Sequence, residues 1–291
     1  IVVITGVLKG EPLFLMCMTG ISLAVAAIPE GLPAIVTVAL ALGVQRMIKQ
    51  NAIVRKLPAV ETLGCTTVIC SDKTGTLTQN AMTVRKVYAG GNSYDIGGVG
   101  YEIKGEFSLN QRDLEAKKET ALEKCLVIGS LCNNSVLKNN NVGLSGLWRK
   151  QSGKGLSVEG DPTEGALIVA AAKAGIWRND LEKNEIRIGE IPFEAERRRM
   201  SVVYRDSAGS ATLYSKGAPD TILELCRYYY DGSREVPLTP ELISRISSAN
   251  DAMTSDALRV LAMAYRRLSP ADTMNVSETL EREMVLVGLM G

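Results

Sequence analysis

The pattern of apolar and polar positions divides the chain into a long apolar stretch and a mixed remainder. Residues 13–44 carry a single charged side chain, Glu30, in an otherwise apolar run. About 20 consecutive apolar residues suffice to cross a bilayer as a helix, so the run predicts a transmembrane helix in place of a buried core helix. Basic residues without an intervening acid follow it, namely Arg46, Lys49, Arg55 and Lys56. By the positive-inside bias, we expect residues 46–291 to face the cytoplasm.

Beyond this run the pattern is that of a folded chain of helices and strands. Residues 66–70 are β-branched and apolar and end at a polar turn, which predicts a buried parallel strand. Residues 200–206 and 211–217 are strand-like and flank a short turn, which predicts a hairpin. Residues 113–132 have a helical pattern, and the apolar run from Met284 predicts another strand.

Composition narrows the chemistry that the chain can perform. Its 291 residues have a formal net charge of +1, so no charge bias favours nucleic acid as a partner. The chain has no histidine, which leaves carboxylate, lysine, arginine and hydroxyl groups for catalysis. Its six cysteines form no CxxC pair and lie mostly in apolar runs, as is typical of free thiols in a reducing compartment.

The sequence IPEGLP, residues 28–33, interrupts the apolar run near its middle. Pro29 and Pro33 have no N–H, so each leaves a carbonyl one turn earlier without its helical partner, and in a membrane that carbonyl needs another one. Glu30 would be costly there as an isolated charge, which makes it a candidate functional residue. A carboxylate with freed carbonyls suits a hard cation such as calcium. A kinked helix with a protonated glutamate is the alternative.

Asp72 follows the strand predicted at 66–70, where ligands bind in parallel α/β sheets. A carboxylate there can attack a phosphoryl group and hold it as an acyl phosphate, while magnesium neutralises charge. Lys73 and Thr74 follow directly. Taken alone, an aspartate after a strand is more often only part of a polar turn.

The sequence DKTGTLTQN at 72–80, preceded by PEGLP at 29–33, resembles the P-type cation-transporting ATPases, and residues 25–84 resemble their type II calcium-pump branch. The resemblance covers essentially the whole chain. It implies an α/β, haloacid-dehalogenase-like phosphorylation domain, present in part, with an inserted α+β nucleotide-binding domain and a preceding transmembrane helix.

The resemblance also implies domain boundaries. Residues 1–45 would hold the end of one transmembrane helix, a loop and the fourth transmembrane helix. Residues 46–82 would form the stalk and the first part of the phosphorylation domain. Residues 83–280 would form the nucleotide-binding domain, and residues 281–291 a strand that returns to the phosphorylation domain.

The same resemblance implies roles for single residues. Asp72 is the implied phosphorylated residue, flanked by Lys73 and Thr74, and magnesium would be held by Asp72 and the Thr74 carbonyl. The implied ligands of the transported cation are the carbonyls of Val25, Ala26 and Ile28 and the side chain of Glu30. The implied ATP-binding residues are Glu164 near the adenine amino group, Phe193 stacked on the ring, Lys216 at the pocket floor, Gly217 and Ala218 in close approach, and Arg198 and Arg259.

Several of these residues have a purely structural alternative. Asp161, Pro162 and Glu164 fit an N-cap, a first helical position and a capping box. Phe193 fits a core position, and residues 197–199 fit a solvated basic edge. Arg198 stands where these pumps usually carry lysine, and its guanidinium offers phosphate a fork in place of a point charge.

The expected function is ATP-driven cation transport, calcium first, through an aspartyl phosphate. ATP and Mg²⁺ are the implied cofactors, and the lipid bilayer and the remaining domains of the pump are the implied partners. The alternatives are a manganese or sodium/potassium pump of the same family, a soluble phosphatase of the haloacid dehalogenase type, and a nucleotide-binding fragment. Thr74 stands where those phosphatases carry a second aspartate, which argues against the phosphatase. The chain lacks an initiating methionine and the TGE loop of the family's actuator domain, so we expect an integral membrane fragment that is inactive alone.

Overall fold

The computed structural model of the chain describes residues 1–29, 31–78, 81–139 and 156–291, without the side chains of Thr74 and Asn139. The chain divides into two compact units, Ile1–Asp72 and Lys73–Gly291.

The first unit is helical. Its helices are α1 (Val2–Leu8), α2 (Leu13–Ala26), α3 (Gly31–Lys49) and α4 (Pro58–Gly64). Within the part of the chain that the structure describes, the range Leu13–Lys49, which contains α2 and α3, is long and apolar enough to cross a membrane. An 18-residue window within it has a mean hydropathy of 1.9, and none of that window is buried. The stretch is therefore the candidate for the transmembrane helix predicted from the sequence.

The candidate span is interrupted between α2 and α3, where the prolines predict a break. The carbonyl of Val25 accepts a hydrogen bond from the N–H of Ile28 at 3.1 Å, one residue short of helical spacing. The carbonyl of Pro29 accepts from Leu32 at 3.0 Å in the same way. Both carbonyls bond the residue before a proline because the proline itself has no N–H to donate.

The second unit is built on a large sheet. Its strands are β1 (Lys86–Ala89), β2 (Asn92–Ile96), β3 (Phe107–Leu109), β4 (Arg112–Leu114), β7 (Glu185–Glu194), β8 (Arg199–Asp206), β9 (Ala211–Gly217), β10 (Cys226–Tyr230), β11 (Glu235–Pro237), β12 (Leu261–Leu268) and β13 (Met284–Met290), while β5 (Val136–Asn139) and β6 (Leu156–Glu159) form a separate pair. The main path is β4-β3-β2-β1-β13-β12-β9-β8-β7, with β10 beside β13 and β11 beside β10. Among the described strand pairs, β10–β13 is parallel and the others are antiparallel.

Helices pack on both faces of this sheet. They are α5 (Thr120–Leu131), α6 (Pro162–Lys173), α7 (Arg178–Leu181), α8 (Pro219–Leu225) and α9 (Pro240–Ser255). One core packs α5 and α6 against Val202 and Val287, and a second packs α8 and α9 against Val203 and Leu286. Adjacent residues of a strand point to opposite faces, so each strand contributes to both cores.

The hairpin predicted at 200–217 is confirmed, since β8 and β9 pair antiparallel through their whole length. Its turn is closed by Asp206, whose Oδ1 accepts from the N–H groups of Ala208 at 3.0 Å and Ser210 at 2.8 Å. The helix predicted over 113–132 is shorter than expected, because Asp113 and Leu114 belong to β4 and α5 begins at Thr120.

The structure differs from expectation at the strand predicted over 66–70. No strand forms there within the described residues, and Val68 and Ile69 are 75% and 85% exposed. β-branched residues favour a strand only where a neighbouring strand takes up their backbone hydrogen bonds, and no described residue pairs with this segment. The haloacid-dehalogenase-like domain therefore stays a prediction.

The last strand, β13, forms as the apolar run from Met284 predicts. It lies between β1 and β12 in the sheet of the second unit, and the return of residues 281–291 to a phosphorylation domain stays a prediction. All residues of β13 are buried, which suits a central strand covered on both faces.

Candidate functional site

The N-terminus of α6 is capped as the sequence predicts. The Oδ1 atom of Asp161 accepts from the N–H of Thr163 at 2.8 Å and from that of Glu164 at 3.3 Å. These bonds satisfy two of the backbone N–H groups that have no carbonyl acceptor within the first turn of a helix. Burial alone would raise the pKa of Asp161, but the bonds from Thr163 and Glu164 and the charge of Arg259 hold it below its ordinary value.

Glu164 points away from its own helix cap and contacts β9. Its Oε1 accepts from the ammonium of Lys216 at 2.6 Å, and its Oε2 accepts from the N–H of Asn134 at 3.0 Å. Lys216 is only 7% exposed, and an ammonium at such depth needs a carboxylate partner. The capping box that would explain Glu164 structurally is therefore not formed. The structure instead joins two of the predicted nucleotide-site residues.

Strand register brings further predicted residues to the same end of the sheet. Arg199 of β8 pairs with Glu194 of β7 on one side and with Gly217 of β9 on the other. Gly217 pairs in turn with Ala262 of β12. Phe193 lies one position from this row and is 60% exposed, so it is not the core phenylalanine of the structural alternative. An exposed aromatic ring at a strand end is available to stack on a ligand.

Gly217 and Ala218 lie where the chain approaches itself closely. A Cβ atom on Gly217 would lie 2.7 Å from the carbonyl oxygen of Arg198 and 2.6 Å from the Cβ of Arg199, so a side chain does not fit. The N–H of Ala218 donates to the same Arg198 carbonyl at 3.0 Å. Both residues thus hold the turn before β8 against the start of α8.

The three arginines at 197–199 do not share one environment. The guanidinium of Arg198 pairs with Asp220, and this hydrogen bond lowers the pKa of that carboxyl. The Arg198 side chain is 55% exposed, which leaves its guanidinium accessible to an anion. Arg197 and Arg199 instead turn inward to Glu281, a residue that sequence reasoning missed. The solvated basic edge that was the alternative for residues 197–199 therefore applies only to Arg198.

Arg259 joins the start of α6 to this end of the sheet. It precedes β12, and its Nη1 donates to the hydroxyl of Thr163 at 3.5 Å. The site thus combines a largely buried carboxylate–ammonium pair, an exposed aromatic ring and two arginines. These groups suit a planar base that carries an amino group and phosphates.

Asp72 is the last residue of the first unit and is exposed. The hydroxyl of Ser71 donates to the Asp72 carbonyl at 3.2 Å. Lys73 begins a short π-helix, Lys73–Leu77, which contains the backbone of Thr74. Within the described ranges, no three Cys, Asp or Glu side chains gather into a metal-binding group. A magnesium site at Asp72 and Thr74 stays a prediction.

The predicted ligands of the transported cation lie at the helix break. Val25 and Ala26 are the last residues of α2, and Ile28 follows in the irregular segment before α3. Glu30, the predicted carboxylate ligand, lies outside the described residues. Ile28 and Pro29 lie outside both helices, so the ligand set spans the end of a helix and the break that follows it, where carbonyls can face a cation.

Comparisons with known proteins place these features in a family. The family model described as P-type ATPase, cytoplasmic domain N, matches residues 121–291. The chain is 45% identical to a calcium-transporting ATPase of Bacillus subtilis over 100% of this chain and 31% of that protein. It is 42% identical to the cation-transporting ATPase pma1 of Synechocystis over 97% of this chain and 30% of that protein. It is 40% identical to the calcium-transporting ATPase type 2C member 1 of Homo sapiens over 91% of this chain and 27% of that protein. The chain therefore spans less than a third of the length of these relatives.

Proposed function

This chain belongs to the P-type ATPases, and we propose that it forms the central part of a pump that uses ATP to move calcium across a membrane. The observation that carries the proposal is the largely buried Glu164–Lys216 pair, 2.6 Å apart, within the matched nucleotide-domain region. Calcium is the favoured cation because relatives at 45% and 40% identity are named calcium-transporting ATPases.

ATP is proposed to bind at the sheet end that this pair defines. Glu164 accepts a hydrogen bond from the adenine amino group, and Phe193 stacks on the ring. Lys216 lies at the floor of the pocket, Gly217 and Ala218 let the chain approach closely, and Arg198 and Arg259 bind the phosphates. A fork of guanidinium donors suits phosphate oxygens, so Arg198 can replace the lysine that is usual in the family.

Asp72 is proposed to accept the γ-phosphoryl group. One carboxylate oxygen forms a bond to the γ-phosphorus, the bond from that phosphorus to the bridging oxygen breaks, and ADP leaves with that oxygen. Water later cleaves the acyl phosphate to free Asp72 and phosphate. Magnesium, when held by Asp72 and the Thr74 carbonyl, supplies charge neutralisation, and Lys73 adds a positive charge beside the carboxylate.

The cation is proposed to bind at the interrupted helix. The carbonyls of Val25, Ala26 and Ile28 and the carboxylate of Glu30 form an all-oxygen ligand set, which suits calcium. Phosphorylation of Asp72 would bias the pump between two states that open this site to opposite sides of the membrane.

Acid-quenched phosphorylation of the full-length protein by labelled ATP tests the proposal. Calcium is titrated against manganese, sodium and a chelator, with Asp72→Asn as the variant that cannot be phosphorylated and Glu30→Gln as the ion-site variant. We expect phosphoenzyme at low calcium in the wild type, none in Asp72→Asn, and a higher calcium requirement in Glu30→Gln.

Each alternative has its own outcome. If phosphoenzyme forms only with manganese or only with sodium, the chain is still part of a pump, but calcium is not the transported cation. Phosphorylation that survives in Asp72→Asn would reject Asp72 as the acceptor. Binding of ATP with no phosphoenzyme under any ion would leave only a nucleotide-binding module.

A further inference from the structure

A buried carboxylate supports the turn between β7 and β8 from inside the fold. Glu281 lies in the segment before β13, and its side chain has 0% exposed area. It accepts hydrogen bonds from Arg197 Nη2, Arg199 Nε and Ser201 Oγ, each at 2.6 Å. Two guanidinium donors and one hydroxyl replace the water that an ionised carboxylate loses on burial. Glu281 therefore connects the segment before β13 to the start of β8.

The two arginines extend this connection to the turn itself. Arg197 also donates from Nη1 to the carbonyl of Pro192 at 3.1 Å, directly before Phe193. Arg199 also donates from Nη1 to the carbonyl of Arg197 at 3.3 Å. One carboxylate thus fixes the backbone on both sides of the turn that follows Phe193 and carries Arg198.

The backbone of Arg198 shows why such support is needed. Its φ is +50°, a left-handed conformation that costs energy for a residue with a Cβ atom. Its N–H donates to the carbonyl of Glu194 at 2.8 Å, and its carbonyl accepts from Ala218. Such a conformation persists where its surroundings fix it, and Glu281 fixes both neighbouring arginines.

We propose that Glu281 is a positioning residue of the nucleotide site, which sets the Phe193 ring and the Arg198 guanidinium through Arg197 and Arg199. The inference rests on the proposed function, in which Phe193 and Arg198 contact ATP. Glu281 itself is completely buried and would touch no ligand. Its carboxylate acts through geometry, by holding the turn in the conformation that ATP binds.

A double-mutant cycle in the full-length protein tests this role. The affinities for ATP and for adenosine are measured by displacement of a fluorescent ATP analogue in the wild type, Glu281→Gln, Arg198→Ala and the double variant. We expect Glu281→Gln to weaken ATP binding about tenfold, a typical coupling for residues of one network. In the Arg198→Ala background the loss should be clearly smaller, because the guanidinium that Glu281 positions is already gone. The affinity for adenosine should fall less than the affinity for ATP. Adenosine has no phosphates for Arg198 to bind, so it responds only to the position of Phe193.

A matched variant separates positioning from general loss of stability. Lys173→Met removes another partly buried charge, whose ammonium donates to the Gly97 carbonyl at 2.6 Å just beyond β2, which lies five strands along the sheet from β8. It should lower the thermal midpoint without changing ATP affinity. Glu281→Asp keeps the charge, so its affinity for ATP should lie between those of the wild type and Glu281→Gln. If Glu281→Gln does not fold, Glu281→Asp replaces it in the cycle.

Three results would overturn the inference. Losses of ATP affinity that simply add in the double variant would show that Glu281 does not act through Arg198. An affinity loss in Lys173→Met equal to that in Glu281→Gln would show a stability effect only. A wild-type protein that binds no ATP would remove the proposed function itself, and this outcome is distinct from the other two.

Discussion

Lys216 and Glu164 depend on each other because both are largely withdrawn from water. Their side chains are 8% and 18% exposed, and they meet at 2.6 Å. Lys216→Met leaves Glu164 with the Asn134 N–H as its remaining described partner. We expect a loss of roughly 2 kcal/mol in the free energy of unfolding, below the value for a completely buried pair because Glu164 keeps this bond and some exposure.

The double variant Lys216→Met/Glu164→Gln is the control for this prediction. It should recover part of the lost stability, since no unpaired charge is left, but it should not recover ATP binding, since both proposed contacts are gone. Thermal unfolding and titration with a fluorescent ATP analogue measure the two quantities separately. A double variant as unstable as the sum of the single ones would show that the pair is not coupled.

At the scale of single residues, the sequence predicts those contacts that are made between neighbours in the chain. Asp161 before Pro162 predicts a helix cap, and the structure has it. Glu281 carries no such signal, because Arg197 and Arg199 lie 84 and 82 positions away in the chain. Glu164 falls between these cases. Its spacing predicts a capping box, and a partner 52 positions away, Lys216, takes the side chain instead.

At the scale of elements, the cap of α6 both starts the helix and places Glu164. Asp161→Ala should cost about 1 kcal/mol of stability and weaken ATP binding, because the first turn loses its acceptor. Asp161→Asn should retain most of both, because asparagine caps equally well. Since the pKa of Asp161 is lowered in the fold, its charge contributes stability above its ordinary pKa, and this contribution is lost as the pH falls through the folded value.

The pH dependence distinguishes the two variants. Unfolding free energies at pH 7 and at pH 3 should differ by less in Asp161→Asn than in the wild type, since asparagine does not titrate. An equal pH difference in both proteins would show that the carboxylate charge of Asp161 does not contribute to stability. Equal stability of Asp161→Ala and Asp161→Asn would show that the helix cap does not contribute to it.

Two apolar segments show how far strands can be predicted from sequence. Both 66–70 and 284–290 read as buried strands, but only the second becomes one, as β13. β13 finds β1 and β12 on its two sides, whereas Val68 and Ile69 have no strand beside them in the described chain and stay exposed. The hairpin of β8 and β9 was predictable because its partner is only a short turn away.

At the scale of the whole molecule, the second unit contains both hydrophobic cores. The buried residues of the two cores all lie between Val84 and Met290. A unit with its own cores is expected to fold by itself, so residues 73–291 expressed without the apolar helices should unfold in one cooperative transition. This fragment should also bind ATP, because every proposed ATP-binding residue lies within it.

Circular dichroism during heating and titration with ATP test both parts of this prediction. ATP should raise the melting temperature of the fragment, since a ligand that binds only the folded state stabilises it. The same fragment with Lys216→Met/Glu164→Gln is the matched control and should melt without response to ATP. Labelled ATP should leave no acid-stable phosphate on the fragment, because Asp72 is absent from it. A fragment that melts without cooperativity would show that the second unit needs residues 1–72 to fold, and one that folds but ignores ATP would move the nucleotide site away from the Glu164–Lys216 pair.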